Sequence, residues 1–183
     1  LLERPSKWFV KVLFRFHTEM NPDDKKFQLI QLRKLSDVCS ALKRKLMVEL
    51  IIQKDLAQED VSTCKEEELA EVIDEVYKKD IYPYWWGINA LEIEEKWVKI
   101  KETLNNYDPH VGVIFKYNYS RIEKLSSWLS IVRSNRTNFG LAFGEDLFWE
   151  QWEKYIKTDA NDSQVKSEIS ERFQKLLNLW SNL

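Results

Sequence analysis

The sequence predicts an α/β fold of five parallel strand-then-helix units in succession, followed by one more helix. Three observations carry this. Five short runs rich in β-branched and aromatic residues alternate with stretches whose apolar residues recur at helical spacing. The middle run, Asp80 to Asn89, pairs Trp85 with Trp86 and holds Gly87, the first glycine of the chain. With 183 residues, 44% hydrophobic and 32% charged, the chain can bury one good core, so residues 1–183 read as a single domain.

In order, Trp8 to Phe16 is an apolar run interrupted by Lys11 and Arg15, the pattern of a buried strand that carries functional groups. Asn21-Pro22-Asp23-Asp24 starts a helix, since Pro is pre-set for the first turn. Phe27, Ile30, Leu32, Leu35, Val38, Cys39 and Leu42 continue it at helical spacing, and the basic residues 43–45 turn the chain into a second strand, Leu46 to Ile52. A polar loop to Lys65 feeds a helix opened by Glu66-Glu67-Glu68, where acids suit the positive helix end. The third strand runs from about Tyr84 to Ile88, and a helix from Glu92 to Asn105 follows. The fourth strand is Val111 to Tyr117, with a helix over Ser120 to Ser134. The fifth is Phe139 to Gly144, with a helix to Tyr155 and a last helix over Ser163 to Asn182.

Alternation of this kind demands parallel strands joined by right-handed crossovers, in an open doubly wound sheet or in part of a (β/α)8 barrel. Ligands sit beyond the C-terminal strand ends in both. No Gly-rich phosphate loop follows the first strand, which counts against a dinucleotide fold. Charged residues within strands (Lys11, Arg15, Glu49, Lys116) favour the barrel, whose lumen receives them.

A net charge of -2 gives no basic excess for nucleic acid. No apolar run reaches the roughly 18 residues of a membrane span, and the N-terminus lacks a signal-peptide core. Cys39 and Cys64 lack metal-ligand spacing and read as free thiols of a cytoplasmic protein; neither a metal nor an organic cofactor is expected.

Lys11 and Glu49 are the strongest pair. Alternation sets Lys11, Leu13, Arg15 and His17 on one face of the first strand, and Met47, Glu49 and Ile51 on one face of the second. If both faces look inward, the pair reads either as an acid/base Glu tuned by a Lys or as a structural ion pair. His17, where a binding loop begins, is a candidate ligand or acid/base group. Lys116 is a candidate lumen amine, and Trp85 with Trp86 a candidate pocket wall. His110, after Asp108-Pro109, reads as a turn residue.

Five segments in order resemble one family: Phe9 to Phe16, Val48-Glu49-Leu50, Tyr82-Pro83-Tyr84-Trp85-Trp86, Gly112-Val113-Ile114, and Gly140 to Gly144 with Phe148-Trp149. The family is the aldolase-like domain fused behind the sugar kinase 5-dehydro-2-deoxygluconokinase of myo-inositol catabolism, itself similar to class I tagatose-bisphosphate aldolases. The resemblance implies a partial (β/α)8 TIM barrel whose five units match strands four to eight, with the three N-terminal units lacking. It implies a homo-oligomer or a separate N-terminal half-barrel as partner, because such a half leaves strand edges unpaired. The implied chemistry is lyase cleavage of a phosphorylated keto-sugar acid through a lysine imine. Lys11, Glu49 and Arg15 match an active-site lysine, the acid/base Glu and an Arg of that family. Gly87 stands where the imine-forming Lys belongs, Glu145 where a phosphate-binding Arg belongs, and Asn118 where relatives often carry Arg. The resemblance therefore implies an aldolase-derived protein without Schiff-base chemistry; a relocated lysine, or a module that completes a split barrel, are the alternatives.

Overall fold

A computed structural model of the chain describes residues 8–16, 20–52, 66–89, 94–117, 119–135, 138–143, 147–157 and 161–181. Its elements are β1 (Val10–Phe16), α1 (Pro22–Ala41), β2 (Leu46–Ile52), α2 (Glu66–Tyr77), β3 (Trp85–Asn89), α3 (Glu94–Tyr107), β4 (Gly112–Tyr117), α4 (Leu125–Asn135), β5 (Phe139–Phe143), α5 (Trp149–Ile156) and α6 (Asp162–Ser181). The five strands form one parallel sheet in the order β1-β2-β3-β4-β5. Sheet order that copies chain order, with a helix between successive strands, is the arrangement of a partial (β/α)8 barrel. The chain divides into two compact units, residues 1–115 with 138–140, and residues 116–137 with 141–183.

Local chemistry explains the element ends. Asn21 caps α1 by accepting from the Asp23 amide at 2.9 Å, with Pro22 in the first turn. The chain leaves α1 through Lys43, whose φ of 50° is left-handed, and the Arg44 amide reaches back to the Cys39 carbonyl at 2.7 Å. Asp80 repeats this device after α2 with φ 54°. There the Arg33 guanidinium donates to the carbonyls of Lys79 and Asp80, at 2.7 and 3.0 Å.

In the first unit the register pairs Lys11 with Met47, Leu13 with Glu49, and Glu49 with Gly87. Alternation then divides the residues between two faces. One carries Phe14, Val48, Leu50, Trp86 and Ile88, all buried. This face packs on the helices: Tyr77 of α2 meets Trp86 edge-on at 5.8 Å, and Trp97 of α3 meets Phe115 at 5.0 Å. Ile73, Val76, Ile100 and Leu104 complete this core with no exposed surface. Each such side chain contributes about 1.5–3 kcal/mol by burial.

The second unit has its own core of Leu125, Trp128, Leu129 and Val132 from α4, with Leu147, Val165 and Leu176. The Tyr117 ring lies 5.3 Å from Trp128, and burial pushes its phenol above the usual range. Ion pairs at 2.6 Å join Arg172 to Glu150 and Lys175 to Glu123.

Three expectations need correction. The fourth helix, expected from Ser120, begins as a 3-10 turn over Tyr119–Lys124 and becomes α-helical at Leu125. The third, expected from Glu92 to Asn105, continues to Tyr107, while residues 92 and 93 lie outside the described residues. β1 reads as a buried strand, but Lys11, Leu13 and Arg15 are exposed; β1 ends the sheet, so its residues lack neighbours on one side.

Candidate functional site

The face of the sheet turned away from the helices of the first unit carries Lys11, Leu13 and Arg15 from β1, Met47, Glu49 and Ile51 from β2, and Trp85 and Gly87 from β3. Glu49 is 3% exposed, so its carboxylate has left water and needs a compensating charge. Lys11, one pleat step away across the β1–β2 ladder, supplies it in an ion pair. The partners differ in environment: the Lys11 side chain is 49% exposed and that of Glu49 only 4%. The charged end of Lys11 thus bridges a buried carboxylate and solvent. Arg15 lies on the same face, opposite Ile51, near the C-terminal end of β1. Four residues of strand put its Cα roughly 13 Å beyond that of Lys11.

The two glycines of β3 and β4 shape this face. A Cβ built on Gly87 would lie 2.9 Å from Met47 Cε, 3.1 Å from Glu49 Cβ and 3.2 Å from Glu49 Cα. Met47 Cε is the free end of a flexible side chain, but the two Glu49 atoms belong to β2 itself, so a side chain at 87 fits only if β2 gives by a few tenths of an ångström. On Gly112 a Cβ would fall 2.2 Å from Trp85 Cε3, because the Trp85 indole occupies that space. A glycine inside a strand signals close approach of this kind, and both positions were open to that reading from sequence.

The remaining sequence candidates are placed as follows. Trp86 is the correction among them: expected to wall a pocket, it is fully buried on the opposite, helix-covered face, where its indole N–H donates to the Tyr77 hydroxyl at 3.0 Å. The cause is pleat parity, which separates neighbours Trp85 and Trp86 onto opposite faces. Lys116 is half-buried on β4 and belongs to the second unit. His17, Asn118 and Glu145 lie outside the described residues. His110 is an exposed turn residue whose amide donates to Asp108 Oδ1 at 3.0 Å. Cys39 is 1% exposed, and burial raises its thiol above the ordinary value.

Among the described residues no three His, Cys, Asp or Glu side chains are grouped to hold a metal ion, and no helix is long and apolar enough to cross a membrane. Among the described residues of β1 to β3, the face offers the buried carboxylate of Glu49, the ammonium of Lys11 and the guanidinium of Arg15. They can bind anionic groups and, through Glu49, exchange a proton.

A protein-family model described as "Uncharacterized protein conserved in bacteria (DUF2090)" matches residues 1–183. That description names no activity or substrate. No curated protein matches the chain.

Proposed function

The chain belongs to the DUF2090 family, and from the site it carries we propose that it is an aldolase-related barrel protein, of sugar-acid catabolism ancestry, that binds its ligand without forming a lysine imine. The observation that carries this reading is the crowding at position 87. The resemblance puts the imine lysine there, yet a Cβ at 87 meets Glu49 Cβ at 3.1 Å and Glu49 Cα at 3.2 Å. A lysine at 87 would require β2 to yield by a few tenths of an ångström, so the packing of β2 against β3 disfavours it in addition to the residue type. Lys11 is a poor replacement, because its amine is already engaged by the Glu49 carboxylate.

What the face retains suits binding. Arg15 offers a planar fork for a carboxylate or phosphate, and Lys11 a second cation roughly 13 Å further along the backbone. Two cations at that spacing on one face suit a ligand with an anionic group at each end, as in a phosphorylated sugar acid. Glu49 beside Lys11 accepts a hydrogen bond from a ligand hydroxyl.

Incubation with dihydroxyacetone phosphate and sodium borohydride, followed by intact mass, tests the reading. No adduct is expected under conditions that label a class I aldolase run in parallel. A stable adduct mapping to Lys11 or Lys116 overturns it in favour of an active lyase with a relocated imine.

A second reading, a module that completes a barrel with another chain or copy, draws on β1. This terminal strand of the sheet leaves Leu13 50% exposed, and Trp8 and Phe9 just before it are 50% and 54% exposed. Light scattering decides it: a monomer at micromolar concentration removes self-association.

A further inference from the structure

At the opposite pole of the first unit, where the strands begin, four loops close around a cleft of about 570 Å³. The α1–β2 turn brings Lys43, Arg44 and Lys45, the α2–β3 connection Tyr82 and Tyr84, the α3–β4 turn Asp108 and His110, and the residue before β5 is Asn138. Backbone bonds fix this end of the sheet. Val10 donates to the Lys45 carbonyl at 2.8 Å, Tyr84 to that of Leu46 at 2.8 Å, and Val113 to that of Asn138 at 3.1 Å. The walls are therefore held by the ladder and not by loose loops.

The lining is strongly one-signed. Three cations and a histidine face a single carboxylate, Asp108, in a chain whose net charge is -2. The Asp108 carboxylate is already engaged by the His110 amide, and the Asn138 amide donates to the His110 carbonyl at 2.8 Å. Lys45 is anchored over the Tyr84 ring, 4.0 Å from its centroid, which holds the ammonium at the rim. Lys43 is presented by a left-handed backbone at φ 50°, which no fold requirement assigns to a lysine, since glycine takes that conformation at less cost. The volume lies within the range of small-molecule sites.

We propose that this cleft is a second, anion-binding site that takes a small phosphorylated molecule, with Lys43, Arg44 and Lys45 meeting the phosphate and the exposed Tyr82 and Tyr84 rings bordering the rest of the ligand. Concave shape and clustered cations favour a compact, multiply charged phosphate over an extended polyanion. The site lies within one unit, at the other end of the strands from Arg15, and is independent of the function proposed above.

Calorimetric titration with inorganic pyrophosphate, at low ionic strength on the full chain, is the test. Lys43→Gly removes one charge while relaxing the left-handed turn, so the fold is retained. The dissociation constant should rise about fivefold or more in Lys43→Gly, and further in Lys43→Gly/Lys45→Gln. Amide shifts should concentrate in residues 36–46, 82–84 and 108–111. Absence of binding to the wild-type chain, or affinity unchanged in the double variant, overturns the proposal. So does loss of binding in Arg15→Ala, which would put the phosphate at the other end of the strands.

Discussion

Removing either partner of the Lys11–Glu49 pair breaks the same contact, yet the two variants should differ in cost. In Lys11→Met the carboxylate of Glu49 stays where it is, 3% exposed, and loses its charged partner on β1. Breaking a buried pair from the exposed side in this way typically costs 3–5 kcal/mol. Glu49 has a further interaction besides Lys11, so the lower end applies, about 3 kcal/mol. In Glu49→Gln the ammonium that remains is 49% exposed and swings into water, so the cost falls to about 1 kcal/mol. For a chain of this length these figures correspond to melting-temperature drops of about 6–12 °C and 2–4 °C. Thermal unfolding followed by circular dichroism at neutral pH measures both. The double variant Lys11→Met/Glu49→Leu removes both charges and should recover most of the loss of the first. If Glu49→Gln proves as costly as Lys11→Met, the carboxylate is not the desolvated partner and the reasoning fails.

Other perturbations follow from the same geometry. Gly112→Ala puts a methyl 2.2 Å from Trp85 Cε3, which forces the indole aside; a cost of about 2–3 kcal/mol in urea unfolding is expected, with red-shifted tryptophan emission. Trp86→Phe removes the 3.0 Å bond to Tyr77 and leaves a void in a fully buried site. It should cost about 2–3 kcal/mol, and a loss below about 1 kcal/mol would mean the indole is not part of the core. Glu150 is lowered from 4.5 to about 2, first by the hydrogen bond from Arg172 and then by Lys154. A depressed carboxyl contributes stability above pH 4.5 that is lost as the pH falls through 2. Solvent exposure limits the contribution to a few tenths up to about 1 kcal/mol. The melting-temperature gap between wild type and Arg172→Ala should accordingly narrow between pH 6 and pH 3.

Much of this arrangement can be read from local pattern, and what cannot has identifiable causes. Strand alternation puts Lys11 and Glu49 on a shared face unless the strands slip by an odd number of residues, and the register found keeps them together. Asn21-Pro22 marks the start of α1 because capping and fixed φ act within a few residues. Trp86 misleads because its value as a pocket wall depends on parity, and a single residue separates the two faces of β3. Gly87 reads in sequence as a missing amine; that the space is also tight depends on β2, some forty residues earlier. Lys43 to Lys45 read as a basic turn into β2, and nothing near them announces Tyr82, Asp108 or Asn138 as neighbours. The cleft exists only once four connections are brought together by the sheet.

The order of the sheet bears on how the chain reaches its fold. Every strand from β2 onward pairs with the one made just before it, and only a single loop and helix separate the two. No pairing has to wait for a segment that has not yet been synthesised, and the entropy of closing each connection is that of one unit. Folding can therefore proceed in the direction of translation, each βα unit docking on the edge left by its predecessor. The growing edge at any moment is the one the next unit will cover, which shortens the time that edge is available for pairing with a foreign strand.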